Sequence, residues 1–183
     1  MRVITGTAKK KPLLTLDETS LRPTTSRVKE AMFSIIQMHI YDANILDLFS
    51  GSGQLGIEAL SRGAKCCTFI DNSRKAHEIE IKNLKSTKLE KKSKVLLTDS
   101  IKFLKNTKEE YDLIFLDPPY KTDLLLISLN LAQFKLKESG LIVCEHLKNF
   151  EMPNYFENIR LQKQYNYGKI GLTLYKKEIF IKN

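Results

Sequence analysis

The stretch ANILDLFSGSGQLGIEALSRG, residues 43–63, carries the pattern from which the fold is predicted. Its first part, 43–49, is a short apolar run that is typical of a buried strand. The segment after the glycines has apolar residues at helical spacing and closes on Gly63, which favours the end of a helix. The sequence therefore predicts a strand, a glycine-rich loop and a helix in direct succession.

The same alternation of apolar runs and helix-period segments continues through most of the chain. Further strands are predicted at 65–71, 94–99, 111–117 and 140–146. Helices are predicted at 27–40, 54–63, 73–87, 100–107 and 122–135. Strands that alternate with helices indicate βαβ units, so the sheet is expected to be mostly parallel and buried on both faces.

The two ends of the chain depart from this alternation. The turn at 167–169 separates two β-rich runs, which predicts a C-terminal β-hairpin and brings the number of strands to seven. Residues 1–21 are expected to form an N-terminal arm or small β element within the same unit as residues 22–183. The predicted fold class is α/β: a doubly wound, mostly parallel seven-stranded sheet with a C-terminal β-hairpin and a short N-terminal extension.

The charge balance of the chain is strongly basic. Lys and Arg number 30 against 21 Asp and Glu, which gives a formal net charge of +9. Such a balance favours contact with phosphates, although a solvated lysine-rich surface would produce the same count. Composition alone therefore leaves nucleic-acid binding open.

Cysteines, histidines and apolar segments constrain the compartment. The three cysteines, Cys66, Cys67 and Cys144, lie in apolar runs without metal-binding spacing and are expected to be buried thiols in a reducing cytoplasm. The histidines suit no metal site either, so no metal is expected. The N-terminus lacks the apolar core of a signal peptide, and the longest apolar segment, 124–134, is too short to cross a bilayer. We expect a cytoplasmic protein with no membrane span.

The glycine-rich loop matches the pattern of a nucleotide-binding turn. Gly51, Gly53 and Gly56 are spaced as GxGxxG between the first predicted strand and its helix. Glycines at such a turn let the backbone approach a ligand closely, and the helix N-terminus offers free N–H groups. The match alone is weak, because glycine turns also serve packing.

Carboxylates end three consecutive predicted strands beside this loop. Asp47 ends the first strand, Asp71 the second, and Asp99, followed by Ser100, the third. The acid after the second strand can accept hydrogen bonds from the ribose hydroxyls of an adenosine. Each Asp could instead cap a helix, but three in series at the carboxyl edge of an α/β sheet favour a ligand site. Either a nicotinamide dinucleotide or S-adenosylmethionine would suit, since both contain adenosine.

The motif LDPPY, residues 116–120, favours methyl transfer over hydride transfer. An exocyclic base amine is a poor nucleophile, and hydrogen bonds from it to the Asp117 carboxylate and the Pro118 carbonyl would aim its lone pair at a methyl group. Pro118 and Pro119 fix the backbone around these acceptors. Tyr120 supplies a ring on which a base can stack. The alternative interpretation is a strand terminator followed by a buried tyrosine.

The order of these motifs resembles that of a known family. RPTTSRVKEAMF at 22–33, DLFSGSGQLGIEALSRGA at 47–64, the acid at position 71 and LDPPY are similar to the bacterial 16S ribosomal RNA guanine-N2 methyltransferases of the RsmD type. The resemblance covers nearly the full chain, and the RPTT segment is its most specific part. It implies a Rossmann-like class I methyltransferase domain over residues 22–183 with S-adenosylmethionine as cofactor. The implied target is a guanine N2 amine of 16S ribosomal RNA, free or in the small-subunit particle.

The resemblance also implies roles for individual residues. Those implied to bind S-adenosylmethionine, from its methionine part through the ribose to the adenine, are Asp47, Gly51, Gly53, Asp71, Asp99 and Ser100. Arg22 and Thr24, in the RPTT segment, would help to close the pocket. Three departures from the family pattern bear on the pocket wall and the N-terminal RNA contacts: Ser26 in place of Asp, Gln54 in place of a small residue, and residues 5–8 without paired glycines and an aromatic.

Basic residues in the N-terminal arm and beside the predicted pocket entrance are the candidate RNA contacts. They are Lys9, Lys10, Lys11, Arg27 and Lys29. The lysines crowded into residues 82–94 are better explained as a solvated helix end and loop.

Other functions are compatible with the same motifs. A DNA adenine-N6 or cytosine-N4 methyltransferase would use the same DPPY chemistry, but such enzymes usually carry a target-reading segment, for which little chain is left. A protein-glutamine methyltransferase would make little use of the basic charge. Alternatives from another class are a nicotinamide-dependent oxidoreductase and a non-catalytic RNA-binding module. The bound cofactor would discriminate the first, and the intact Asp117 argues against the second.

Overall fold

The computed structural model describes residues 1–16, 26–120 and 123–178. Within these residues, seven strands form one sheet that five α-helices flank. The strands are β1 (Asn44–Asp47), β2 (Cys66–Asp71), β3 (Ser93–Leu97), β4 (Tyr111–Leu116), β5 (Leu136–Leu147), β6 (Ile159–Tyr167) and β7 (Ile170–Lys177). The helices are α1 (Ser26–Ile35), α2 (Gln54–Ser61), α3 (Arg74–Thr87), α4 (Ser100–Asn106) and α5 (Leu124–Ala132).

The sheet order is β3-β2-β1-β4-β5-β7-β6. Strands β1 to β5 pair in parallel, whereas β7 is antiparallel to both β5 and β6. The first strand, β1, lies in the middle of the sheet. Strands β2 and β3 follow on one side of it, and β4 lies on its other side at the start of the second half. The doubly wound, mostly parallel sheet and the C-terminal hairpin predicted from the sequence are thus confirmed.

Several element bounds differ from the sequence prediction. The helix expected at 27–40 ends at Ile35, and a short 3-10 turn, Gln37–His39, follows it. Strand β5 begins at Leu136 rather than at residue 140, because its first residue pairs with Tyr111 before an irregularity shifts the register. The predicted helix end at 135 is accordingly a 3-10 turn, Gln133–Lys135, that leads into this strand.

Both faces of the sheet are buried, as the continuous apolar strands require. Along β5, Leu141 and Val143 pack in one core cluster, while the alternate residues Ile142 and Cys144 pack in the other. The first cluster lies beneath α1, α2 and residues 1–16, and the second lies beneath α4 and α5. No helix within the described ranges combines the length and the apolar character needed to cross a membrane.

Residues 1–16 fold back on themselves and pack against α2. A single bridge joins Arg2 to Pro12, and Val3, Ala8 and Leu13 contribute side chains to the first core cluster. Residues 1–16 thus share a core cluster with α1 and α2. The predicted boundary between residues 21 and 22 lies outside the described residues.

Glu58 of α2 is the anchor for this N-terminal segment. Its carboxylate is fully buried and accepts hydrogen bonds from the backbone N–H groups of Ile4 at 2.8 Å and Thr5 at 3.0 Å. The guanidinium of Arg62 donates to the same carboxylate at 2.8 Å, and the ammonium of Lys29 lies 3.4 Å from it. One carboxylate thus joins α1, α2 and the arm.

The prediction that Lys29 contacts RNA is wrong. Its side chain has 0% exposure, and its ammonium also donates to the Arg2 carbonyl oxygen at 3.0 Å. Burial lowers the pKa of Lys29, and the Glu58 carboxylate opposes this effect. The spacing of Lys29 from Met32 and Phe33 already placed it on the apolar face of α1, which is the signal that could have indicated burial.

We expect Glu58→Ala to destabilise the protein by about 3 to 5 kcal/mol, because it leaves a buried ammonium and two backbone donors without their acceptor. Urea unfolding measures this loss. The matched control is Glu109→Ala, which removes a carboxylate from the exposed ion pair with Lys94 and should cost at most about 1 kcal/mol. Equal losses for the two variants would contradict the anchoring role of Glu58.

Candidate active site

The glycine-rich loop between β1 and α2 is held by two carboxylates. Asp47 accepts a hydrogen bond from the Gly56 N–H at 2.9 Å, and Asp71 accepts one from the Gly51 N–H, also at 2.9 Å. Gly51 and Gly53 adopt φ values of 55° and 77°, a left-handed conformation that costs other residues strain. The loop therefore needs both its glycines and the acids that end β1 and β2.

Gly56 serves packing rather than backbone conformation. A Cβ at this position would lie 2.2 Å from the Phe69 ring and 2.7 Å from the Cys67 sulfur. Only a glycine lets the first turn of α2 rest directly on β2. This contact fixes the N-terminal end of α2 against the sheet.

Asn83 of α3 ties the glycine loop to the N-terminal arm. Its amide nitrogen donates to the Ser52 carbonyl at 2.8 Å and to the Leu14 carbonyl at 2.9 Å, and its oxygen accepts from the Leu14 N–H. Sequence reasoning missed this residue, because a buried asparagine inside a helix carries no local signal of a partner that lies 69 positions away.

A cavity of about 360 Å³ opens at the carboxyl edge of the sheet. This volume lies within the range of small-molecule sites, roughly 300 to 1,000 Å³. Of the residues singled out from the sequence, those that line it are Asp47, Gly51, Gln54, Asp71, Asp99, Ser100, Asp117, Pro118, Pro119 and Tyr120. Sequence analysis did not foresee the arm residues Thr15 and Leu16, which also line it.

Four predicted site residues differ from the others in position or role. Gly53 is buried behind the cavity wall, against Glu80, rather than in the lining. Arg22 and Thr24 lie outside the described residues. Asp99 lines the cavity and also caps α4, because its carboxylate accepts a hydrogen bond from the Lys102 N–H at 2.8 Å.

Two buried acids lie beneath the glycine loop. Asp47 is 2% exposed, and burial raises its pKa to about 7. Glu80 of α3 is 1% exposed, and burial, followed by the charge of Asp47, raises its pKa to about 9. Glu80 is therefore a neutral carboxylic acid at neutral pH. Sequence analysis missed it because its environment is created by the packing of α3 on the loop.

The LDPPY motif lies where β4 ends, and its residues 117–120 line the cavity together with residues of the glycine loop. Pro118 is buried, whereas Pro119 is exposed. The Tyr120 hydroxyl donates to the Glu145 carboxylate at 2.7 Å, and Glu145, on β5, is 1% exposed. This hydrogen bond fixes the Tyr120 ring at the cavity wall. Glu145 was not foreseen, since it sits within an apolar strand without any motif.

Comparison with known proteins places this arrangement in a family. The family model described as conserved hypothetical protein 95 matches residues 1–176. YlbH of Bacillus subtilis (strain 168) is 40% identical over 182 residues, which span 97% of this chain and 99% of that protein. Ribosomal RNA small subunit methyltransferase D of Escherichia coli (strain K12) is 34% identical over 180 residues, which span 97% and 90% of the two chains.

The chain belongs to the RsmD family. The solved structure of yhhF from Escherichia coli superimposes with a TM-score of 0.87 at 34% identity, over 97% of this chain and 98% of that one. The fold is thus the class I methyltransferase fold that the sequence motifs implied.

The candidate RNA contacts of this RsmD-family chain lie at different places in the structure. Arg27 is exposed in the first turn of α1. The turn of the arm, with exposed Lys9, Lys10 and Lys11, is held at Ser61, the last residue of α2, away from the glycine loop. Lys29 is buried, as described above. Within the described residues, no group of His, Cys, Asp or Glu side chains is arranged to hold a metal ion.

Replacing Glu80 tests the neutral acid beneath the loop. A raised folded-state pKa means that Glu80 contributes most stability below its unfolded pKa, and that this contribution is lost as the pH rises toward about 9. Glu80→Gln keeps the neutral shape at every pH. We therefore expect the stability of the variant relative to wild type to increase between pH 5 and pH 9, by at most about 1.4 kcal/mol per pH unit. A difference that stays constant across this range in urea unfolding would contradict the assignment.

Proposed function

We propose that this protein transfers a methyl group from S-adenosylmethionine to the N2 amine of a guanine in 16S ribosomal RNA. The observation that carries the proposal is that residues 117–120 of LDPPY, residues 50–52 of the glycine loop and Asp71 line one cavity. The relatives named ribosomal RNA small subunit methyltransferase D support ribosomal RNA as the target. On this proposal the enzyme acts in the cytoplasm, on the free RNA or on the small-subunit particle.

The cavity lining fits S-adenosylmethionine. Both Asp71 oxygens accept backbone hydrogen bonds, from Gly51 and Ser73, and each retains a lone pair for a ribose hydroxyl. Gln54 lines the cavity, and its buried Oε1 has no hydrogen-bond partner within residues 1–16, 26–120 and 123–178. That oxygen is an acceptor available to an N–H group of a ligand. Asp99 and Ser100 line the side of the cavity proposed for the adenine.

The bound cofactor would supply an electrophilic methyl group on a sulfonium. The protein's task is then to hold the guanine amine in line with it. Asp117, at the carboxyl end of β4, would accept a hydrogen bond from the amine, and the two prolines keep its backbone from reorganising. Tyr120, fixed by Glu145, would stack on the flipped base. Positioning therefore accounts for most of the proposed catalysis.

Cofactor identity is tested by Asp71→Asn. Removing the carboxylate charge should weaken binding of S-adenosylmethionine or its demethylated product by roughly 1 to 3 kcal/mol in titration calorimetry, because charge-assisted hydrogen bonds to the ribose are lost. Glu138→Ala, on the exposed amino end of β5, is the control and should bind normally. Preferential binding of NAD by the wild-type protein would refute the methyltransferase proposal.

The chemical role of the motif is tested by Asp117→Ala. This variant should bind the cofactor normally but lower the single-turnover rate on ribosomal RNA by about a hundredfold or more, since a preorganised acceptor at the reacting centre is lost. The exposed Asp123, at the start of α5, provides the control Asp123→Ala. Mass mapping of the methylated nucleoside should identify N2-methylguanine. A wild-type rate for folded Asp117→Ala, or methylation of a DNA base instead, would contradict the proposal.

A further inference from the structure

The β6–β7 hairpin reaches the same edge of the sheet as the cavity. Strand β5 is parallel to β4, and β7 is antiparallel to both β5 and β6. Strand β6 therefore runs in the direction of β4 and ends at the edge where LDPPY begins. The hairpin turn also abuts the end of β5, because the Lys148 N–H donates to the Lys169 carbonyl at 2.9 Å.

A row of side chains crosses the sheet from the cavity to this hairpin. Leu172 of β7 lies directly opposite Glu145 of β5 and directly opposite Tyr165 of β6. Residues opposite one another in an antiparallel pair point to the same face. Glu145, Leu172 and Tyr165 thus share one face, and Glu145 holds the Tyr120 hydroxyl. At about 4.8 Å per strand, Tyr165 lies roughly 10 Å across the sheet from Glu145.

The outer strand adds aromatic and basic groups to the same face. Tyr167 and Lys163 alternate with Tyr165 along β6 and lie opposite Ile170 and Leu174, which belong to the same core cluster as Leu172. The Lys163 ammonium lies over the Tyr165 ring, 5.3 Å from its centroid. Tyr165 and Tyr167 are half-buried against that core cluster, whereas Lys163 and Lys169 are exposed, so the outer part of this face is accessible from solvent.

The charge of the hairpin differs from that of the cavity. Between residues 159 and 177 there is no Asp or Glu, and the basic residues are Arg160, Lys163, Lys169, Lys176 and Lys177. The cavity lining, in contrast, carries four acids, Asp47, Asp71, Asp99 and Asp117. Phosphates would be repelled by the cavity itself, so a nucleic-acid strand needs a basic surface beside it.

The two lysines just before β3 do not provide that surface. Lys91 and Lys92 are exposed just before β3, whose first residue, Ser93, pairs with the amino end of β2. They therefore lie at the opposite edge of the sheet from the cavity. The hairpin combines lysines with aromatic rings next to Tyr120, which is the composition of single-strand binding surfaces.

We propose that Lys163, Tyr165, Tyr167 and Lys169, named here the hairpin face, bind single-stranded RNA nucleotides that flank the target base. This inference rests on the proposed function and names the surface that holds its substrate. The tyrosines stack on the flanking bases, and the two lysines contact their phosphates. The target base enters the cavity at Tyr120 from the same face of the sheet.

The lysines are tested with Lys163→Gln/Lys169→Gln, and Lys91→Gln/Lys92→Gln is the matched control with the same loss of charge. The probe is deproteinised small-subunit ribosomal RNA, bound over a series of salt concentrations. The hairpin pair should weaken binding roughly tenfold and reduce the slope of log affinity against log salt by about 1.4, or 0.7 per phosphate contact. The control pair should change neither quantity by a comparable amount. Both should bind S-adenosylmethionine like wild type.

The tyrosines are tested with Tyr165→Leu/Tyr167→Leu, which keeps apolar contact with the core but removes the rings. RNA affinity should fall about tenfold or more with an unchanged salt slope, whereas Tyr165→Phe/Tyr167→Phe should bind like wild type. With either loss variant, KM for RNA should rise while kcat at saturating RNA is retained, since neither residue touches the reacting atoms.

The outcomes separate this inference from the proposed function. If wild type binds and methylates the RNA but the hairpin and control lysine pairs behave alike, the hairpin face is not the RNA surface, although the proposed function stands. If the hairpin variants bind naked RNA normally and fail only on the assembled particle, the face contacts a ribosomal protein, and the inference is wrong. Absence of RNA binding by wild type overturns both.

Discussion

The contact between Gly56 and the ring of Phe69 is the constraint on which the cavity depends. With no side chain at this position, the first turn of α2 lies directly on β2, and its N–H meets the Asp47 carboxylate at 2.9 Å. In the loop before it, the Gly51 N–H donates to the Asp71 carboxylate at 2.9 Å. Any larger residue would lift α2 from the sheet and separate the loop from the acids that shape the cavity.

The acids at this edge are tolerated because each is paired or neutral. Asp47 and Asp71 accept hydrogen bonds from the backbone N–H groups of Gly56 and Gly51. Burial raises the pKa of Glu80 to about 9, so this residue carries no charge at neutral pH. An ionised Glu80 beside Asp47 and Asp71 would destabilise the fold much more than the neutral acid does. Under the proposed function, the negative charge that remains favours a sulfonium but repels phosphates. The same acids that suit the cofactor therefore exclude the RNA backbone from the cavity.

Local pattern predicted the fold and the cavity lining but not the residues that hold them together. The alternation of strands and helices, the turn at 167–169, the glycine loop and LDPPY are encoded within a few residues each, and they are where the sequence placed them. Glu58, Asn83 and Glu145 act through partners far along the chain, so no local pattern reveals them. Lys29 was misplaced because its charge was given more weight than its helical position beside Met32 and Phe33.

Glu145 connects the two halves of the sheet. It is a buried carboxylate in an otherwise apolar strand, and such a group needs hydrogen bonds to offset the cost of its desolvation. On one side it accepts a hydrogen bond from the Tyr120 hydroxyl. On the other side its cross-strand neighbour Leu172 of β7 lies opposite Tyr165 of β6. Because a β-sheet resists sliding between hydrogen-bonded strands, the Tyr120 ring and the hairpin keep a fixed separation. A strand of RNA bound across the hairpin would then meet a stacking surface at a defined distance from the cavity, without any moving part.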